Sequence, residues 1–178
     1  MNTRGKIIIA TLGLIALSVM VLSAMRKQLP SDEELKARFI AHREDFEGLV
    51  AIAKEDSHLT RIAPDFTWLD DDVAWPRKNI GISDQRWNDY RQIFQKIGAS
   101  GGIFNYTNPT LILVPMTSMG IVPSGVEKGL AYSPSTLSPV LKSLDERPPQ
   151  EYWSGPDRRH VLAYRPIENH WYIYYREW

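Results

Sequence analysis

The sequence predicts an α+β fold, in which an antiparallel sheet of about five strands carries two main helices on one face and is preceded by one N-terminal transmembrane helix. Three observations predict it. An apolar run without any charge occupies residues 7–25. Two later stretches repeat apolar residues every three or four positions, as amphipathic helices do. After Gly98 the pattern changes to short apolar runs separated by glycine and proline, which is typical of strands and turns.

The run over residues 7–25 is long enough to cross a membrane. Lys6 and Arg26 flank it, and at about 1.5 Å per residue a helix of this length spans roughly 28 Å, close to the thickness of a hydrocarbon core. A cleaved signal peptide and a buried core helix are the alternatives. We therefore expect residues 1–27 to be a membrane anchor, or else a signal peptide, and residues 28–178 to form a single soluble domain.

The flanking charges leave the orientation open, because basic residues lie on both sides of the run. A domain of about 150 residues follows, and domains of that size are translocated largely regardless of flanking charge. We therefore expect a single-pass protein of the bacterial inner membrane with its C-terminal domain in the periplasm.

The first helix is predicted over residues 31–55. Ser31 and Glu34 have the spacing of a capping box. The positions that follow place an apolar stripe on one side of a helix, at Leu35, Phe39, His42, Phe46, Leu49 and Ala53. The two phenylalanines favour packing onto the domain over a solvated stalk.

The second helix is predicted over residues 83–97. Ser83 is placed to cap it, and Gly98 is a natural left-handed stop. Its apolar stripe consists of Trp87, Tyr90, Phe94 and Ile97.

The strands are predicted mainly in the second half of the chain. They cover residues 103–106, 111–116 and 128–132, a terminal hairpin of 160–165 and 170–175, and a short strand before Pro64 at 58–63. A loop is predicted at Gly120–Gly125, a short helix at 139–144, and irregular chain at 64–82. In the last strand Trp171 faces one side, while Tyr172, Tyr174 and Arg176 face the other.

Composition excludes several classes of function. The first 27 residues hold four of the 21 basic residues and none of the 21 acidic ones, so the remainder carries a net charge of about −4. Nucleic-acid binding needs a basic surface, so this negative charge argues against it. The chain has no cysteine, so it has no disulfide, thiolate nucleophile or Cys-ligated metal. We expect no cofactor and no metal, since no histidine has ligand spacing; the four are His42, His58, His160 and His170.

Catalytic motifs are weak. Ser124, His160 and Glu127 could be written as a hydrolase triad, but no nucleophile-elbow motif supports it. The acidic run 70–72 lacks the spaced pattern of a calcium loop. Gly98, Gly101 and Gly102 follow a helix, whereas nucleotide-binding loops follow a strand. The sequence therefore predicts no catalytic residue.

Binding residues are predicted in two places. The glycine-rich segment 120–132 contains Glu127 and Lys128, which an exposed loop could present to a partner. The C-terminal hairpin mixes arginine with aromatic residues, a combination enriched in binding hot spots. Its candidates are Arg165, Trp171, Tyr172, Tyr174 and Arg176. In both places the alternative is a purely structural role, in a turn or in the core.

These observations predict a membrane-tethered, non-catalytic envelope protein that binds a partner protein, either as an accessory or as a protective inhibitor of an exported toxin. The alternative is an envelope enzyme acting on peptidoglycan or another glycan, with carboxylates such as Glu127 and Asp157. A purely structural member of a membrane assembly is the third possibility.

Overall fold

The computed structural model describes residues 29–69, 81–108, 110–121, 124–155 and 160–178. These residues form three α-helices and seven strands, so the predicted α+β class is confirmed. The elements in chain order are α1 (Asp32–Ala41), α2 (Arg43–Glu55), β1 (Leu59–Ile62), β2 (Thr67–Leu69), α3 (Asp84–Ile97), β3 (Ile103–Thr107), β4 (Thr110–Ile121), β5 (Ser124–Tyr132), a 3₁₀ turn (Gln150–Tyr152), β6 (Val161–Glu168) and β7 (Trp171–Glu177).

The strands form one sheet in the order β2-β1-β3-β4-β5-β7-β6, with every neighbouring pair antiparallel. The prediction of about five strands is therefore wrong by two. β2 lies in the segment predicted to be irregular. It has only three residues and pairs with β1 across an irregularity, so it shows no period that a sequence pattern could reveal.

The first helix bends at His42, which the sequence did not predict. His42 has non-helical dihedrals (φ −124°, ψ 28°) and separates α1 from α2. The predicted stripe is nevertheless buried, and Phe39 and Phe46 pack together across the bend at 5.9 Å between ring centroids. The capping box of Ser31 and Glu34 is present.

The second predicted helix is α3. The Ser83 side chain accepts a hydrogen bond from the Arg86 amide, and Gly98 has φ +73° at the C-cap. Its predicted stripe is buried.

Strands β4 and β5 are longer than predicted, and most of the loop predicted at Gly120–Gly125 belongs to them. Glu127 and Lys128 are therefore strand residues and buried, not members of an exposed loop. The pattern was misleading because the register shifts between Pro115 and Thr117 and thereby interrupts the alternation. The helix predicted at 139–144 is also wrong. Val140 instead forms a parallel bridge with Tyr164 at the β6 edge.

The main core lies between the helices and one face of the sheet. It joins the stripes of α1, α2 and α3 to alternate strand residues such as Ile112, Leu130 and Ile173. Among the described residues no helix is both long and apolar enough to cross a membrane. The apolar run at 7–25 lies outside the described residues.

Candidate functional site

The seven predicted binding residues lie on both faces of the sheet. Glu127, Tyr172, Tyr174 and Arg176 lie on the face turned away from the helices, which we call the open face. The other three, Lys128, Arg165 and Trp171, lie on the helix-covered side.

Trp171 belongs to the main core. Its ring lies 5.0 Å from that of Phe39, 5.7 Å from Phe46 and 5.5 Å from Tyr132, measured between centroids. The side chain is almost fully buried. It therefore packs the helices onto β7 and offers no free surface to a partner.

Lys128 and Arg165 hold the start of α1 against the sheet. The Lys128 ammonium, with 1% of its side chain exposed, lies 2.9 Å from both Asp32 and Asp145. Arg165 lies 3.0 Å from Asp32 and 3.1 Å from Glu33. Asp32 also accepts a hydrogen bond from the Leu144 amide at 2.8 Å. Every charge in this network has an opposite charge beside it.

The pKa of Asp145 reflects this pairing. Burial by itself raises the pKa of a carboxyl group. In Asp145 the hydrogen bonds from Lys128 and from the Asp32 amide outweigh burial and lower the pKa below its usual value. Asp145 is therefore ionised at neutral pH and contributes to the network.

A second polar cluster surrounds Glu127 on the open face. One Glu127 oxygen accepts from the Tyr174 hydroxyl at 2.6 Å and lies 2.9 Å from the Arg176 guanidinium. The other accepts from the Ser118 hydroxyl at 3.0 Å. Burial and the Glu127 charge raise the pKa of Tyr174 well above its usual value, so the phenol stays protonated and keeps donating.

Arg61 is a member of the open face that the sequence did not identify as a binding residue. It lies on β1, and only 9% of it is exposed. Its guanidinium stacks on the Phe104 ring at 3.8 Å and donates to the Gly101 carbonyl. Its Nη1 atom has no hydrogen-bond partner among the described residues. Burial lowers the pKa of Arg61 to about 10, which leaves it charged at neutral pH.

Phe104 joins the two arginines. The Arg176 guanidinium lies 4.4 Å from the centre of the same ring, and 5.0 Å from that of Trp178. Tyr106 stacks beside Phe104, with centroids 6.4 Å apart and planes within 3°. Tyr106 and Trp178 are 37% and 36% exposed. The open face therefore combines two guanidinium groups with accessible aromatic rings.

The arrangement does not resemble the catalytic sites considered from the sequence. The Glu127 carboxylate bonds to Ser118, Tyr174 and Arg176 rather than to His160. The hydrolase triad that the sequence offered is therefore not assembled. Asp157, the second carboxylate of the glycan-enzyme alternative, lies outside the described residues. Within the described part of the chain, no group of three or more histidine or acidic residues is arranged to hold a metal ion.

A cavity that described residues line is on the helix-covered side. It measures 480 Å³ and lies between the start of α1 and β4, next to Leu29, Arg38 and Thr117. It does not contain the charged cluster of the open face.

Comparison with known proteins identifies no relative, since the chain matches no protein family, no curated protein and no solved structure at a significant level.

Proposed function

We propose that this chain is a non-catalytic binding protein of the bacterial cell envelope that holds a partner protein on the open face of its sheet. In this proposal residues 7–25 tether it to the inner membrane, and the sheet domain lies in the periplasm. In this proposal the protein serves either as an accessory of its partner or as a protective inhibitor of an exported toxin.

The difference between the two sheet faces is the observation that carries the proposal. All three described helices pack on one face. On the other, the described residues that pack against the small cluster of Leu113, Ala131, Tyr164 and Tyr174 come from strands and from Leu137, not from a helix. A sheet face on which no described helix packs favours an interaction with another molecule.

The residue types favour a protein as that molecule. Aromatic residues and arginine are enriched in the centres of protein interfaces, where they contribute large contact areas and bidentate hydrogen bonds. On the open face Trp178 is exposed beside Arg176, and Tyr106 is exposed beside Phe104. A small polar substrate would instead need a pocket with convergent polar groups.

Site-specific photo-crosslinking in the cells that produce the protein tests the partner. Tyr106→p-benzoylphenylalanine in the full chain is expected to give a discrete adduct. An excess of the unmodified chain should compete it away. Ile40, which is 56% exposed on α1, is the matched control position. The absence of an adduct at position 106, or the same adducts at both positions, would contradict the proposal.

Protease treatment of spheroplasts tests the tether and its orientation. A C-terminal tag on the full chain is expected to be digested, and the undigested band is expected at full length. A protected tag would place the domain in the cytoplasm. A band shorter by about 2.5 kDa would mean a cleaved signal peptide rather than an anchor.

A further inference from the structure

The open face carries a positive charge that no described acidic group balances. Arg61 and Arg176 contact the same Phe104 ring, and Glu127 is the carboxylate that pairs with Arg176. The protein partner of Arg61 is a neutral carbonyl, that of Gly101. Among the described residues, two cations and one anion leave a net charge of +1 in a mostly buried cluster, where an unpaired charge is costly.

From this we infer that Arg61 and Arg176 together bind a carboxylate group from an acidic segment of the partner protein. The inference rests on the proposed function and names the chemistry of the partner at the same face.

Three buried N–H groups that have no acceptor among the described residues support it. They are Nη1 of Arg61, Nε of Arg176 and Nε1 of Trp68. Trp68 lies opposite Arg61 in the β1–β2 register. A buried donor without a partner is rare, because it loses its hydrogen bonds to water and gains none. An incoming carboxylate has two oxygens, each able to accept more than one such bond.

The charge favours a carboxylate over a phosphate group. A carboxylate carries one negative charge, which balances the net charge of the cluster. A phosphate monoester carries about −1.5 to −2 at neutral pH, so about half to one negative charge would be left beside the Glu127 carboxylate. The exposed rings of Tyr106 and Trp178 also suit the apolar neighbours of an acidic side chain in a peptide.

The Trp178 ring is an exposed part of the cluster. The Trp178 backbone is fixed, since its amide donates to Gly125 at 3.0 Å and its carbonyl accepts from Gly125 at 2.9 Å. Its ring centre lies 5.0 Å from the Arg176 guanidinium, and the residue is 36% exposed. The proposal therefore places the entry of the carboxylate beside the Trp178 ring.

The test uses the full chain, labelled with ¹⁵N-arginine in detergent micelles, with the Nε–Hε signals recorded by NMR. The probe is acetylated, amidated tetraglutamate, and the controls are the tetraglutamine analogue and inorganic phosphate at matched ionic strength. We expect saturable shifts of the Arg61 and Arg176 signals with tetraglutamate, none with tetraglutamine, and weaker ones with phosphate.

Arg61→Lys and Arg176→Lys keep the charge but lose the planar fork, so each is expected to weaken tetraglutamate binding about tenfold. Arg91→Lys is the matched control. Arg91 also stacks on a ring, at 3.9 Å from that of Trp87, but its guanidinium has acceptors in Pro64 and Asn88. The Arg91→Lys variant should leave the affinity for tetraglutamate unchanged. Near-ultraviolet circular dichroism verifies that each variant is folded.

Three results would overturn the inference: no saturable shift at Arg61 and Arg176, equal shifts with tetraglutamine, or tighter binding of phosphate than of tetraglutamate. Failure here is distinguishable from failure of the proposed function. A competed adduct at Tyr106 without tetraglutamate binding would leave the partner protein in place and reject its acidic chemistry.

Discussion

Two buried cations occupy opposite faces of the same sheet, and their surroundings differ. Lys128 lies on the helix-covered face within 2.9 Å of two carboxylates. Arg61 lies on the open face, stacks on Phe104 and has a backbone carbonyl as its acceptor. A buried cation with a complete set of partners contributes to the fold, whereas one with an incomplete set costs stability.

One of the two largest expected effects concerns the paired cation. Lys128→Met leaves Asp32, which is fully buried, with one cation fewer. We expect the free energy of unfolding to fall by about 3 to 5 kcal/mol, because removing one partner leaves a buried charge uncompensated. Denaturant unfolding measures it. Lys54→Met, at an exposed position where the ammonium bonds to the Tyr132 hydroxyl, should cost less than about 1 kcal/mol. Equal losses of unfolding free energy in Lys128→Met and Lys54→Met would contradict this prediction.

Substitutions of two neighbouring residues compare how much the two faces contribute to stability. Trp171→Ala removes a core ring that contacts both α1 and α2, and we expect a loss of about 3 to 5 kcal/mol in the free energy of unfolding. Tyr172→Ala changes the half-buried residue beside it on the open face, with an expected loss of about 1 kcal/mol. If Tyr172→Ala cost as much as Trp171→Ala, the open face would be a second core.

The smallest expected effect is on the acid dependence of stability. The pKa of Asp145 is lower in the folded chain than in the unfolded chain, whose value is near 3.8. The unfolded state therefore binds more protons in acid, so this stabilisation is present above about pH 4 and is lost as the pH falls further. Because the side chain is nearly half exposed, we expect less than about 1 kcal/mol.

Unfolding of Asp145→Asn between about pH 6 and pH 3 provides the comparison. The variant should lose less stability over that range than the natural chain does. An identical pH dependence in both would show that Asp145 contributes nothing to it.

The sequence predicted those parts of the fold that have local signals. The capping box at Ser31 and the stop at Gly98 fix helix ends within a few residues, and the stripe of α3 repeats regularly. β2 and the ends of β4 and β5 could not be predicted, because short pairing and register shifts depend on neighbouring strands. The bend at His42 could not be predicted, because no proline or glycine lies beside it in the sequence.

The candidate site was predicted in part for the same reason. Alternation along β7 assigned Tyr172, Tyr174 and Arg176 correctly to one face, but it could not show that Trp171 packs in the core. Arg61 was missed because the register of β1 shifts between Leu59 and Arg61, which removes the alternation. A single arginine inside an apolar strand was the remaining signal.

Substitution of Arg61 tests most directly whether its charge serves a ligand rather than the fold. Arg61→Met keeps an apolar side chain against Phe104 and removes the charge. We predict that the free energy of unfolding stays within about 1 kcal/mol of the natural value or rises. Tetraglutamate binding, followed through the Arg176 signal, should weaken at least tenfold. A loss of stability comparable to that of Lys128→Met, with tetraglutamate binding retained, would contradict this and make Arg61 a structural residue.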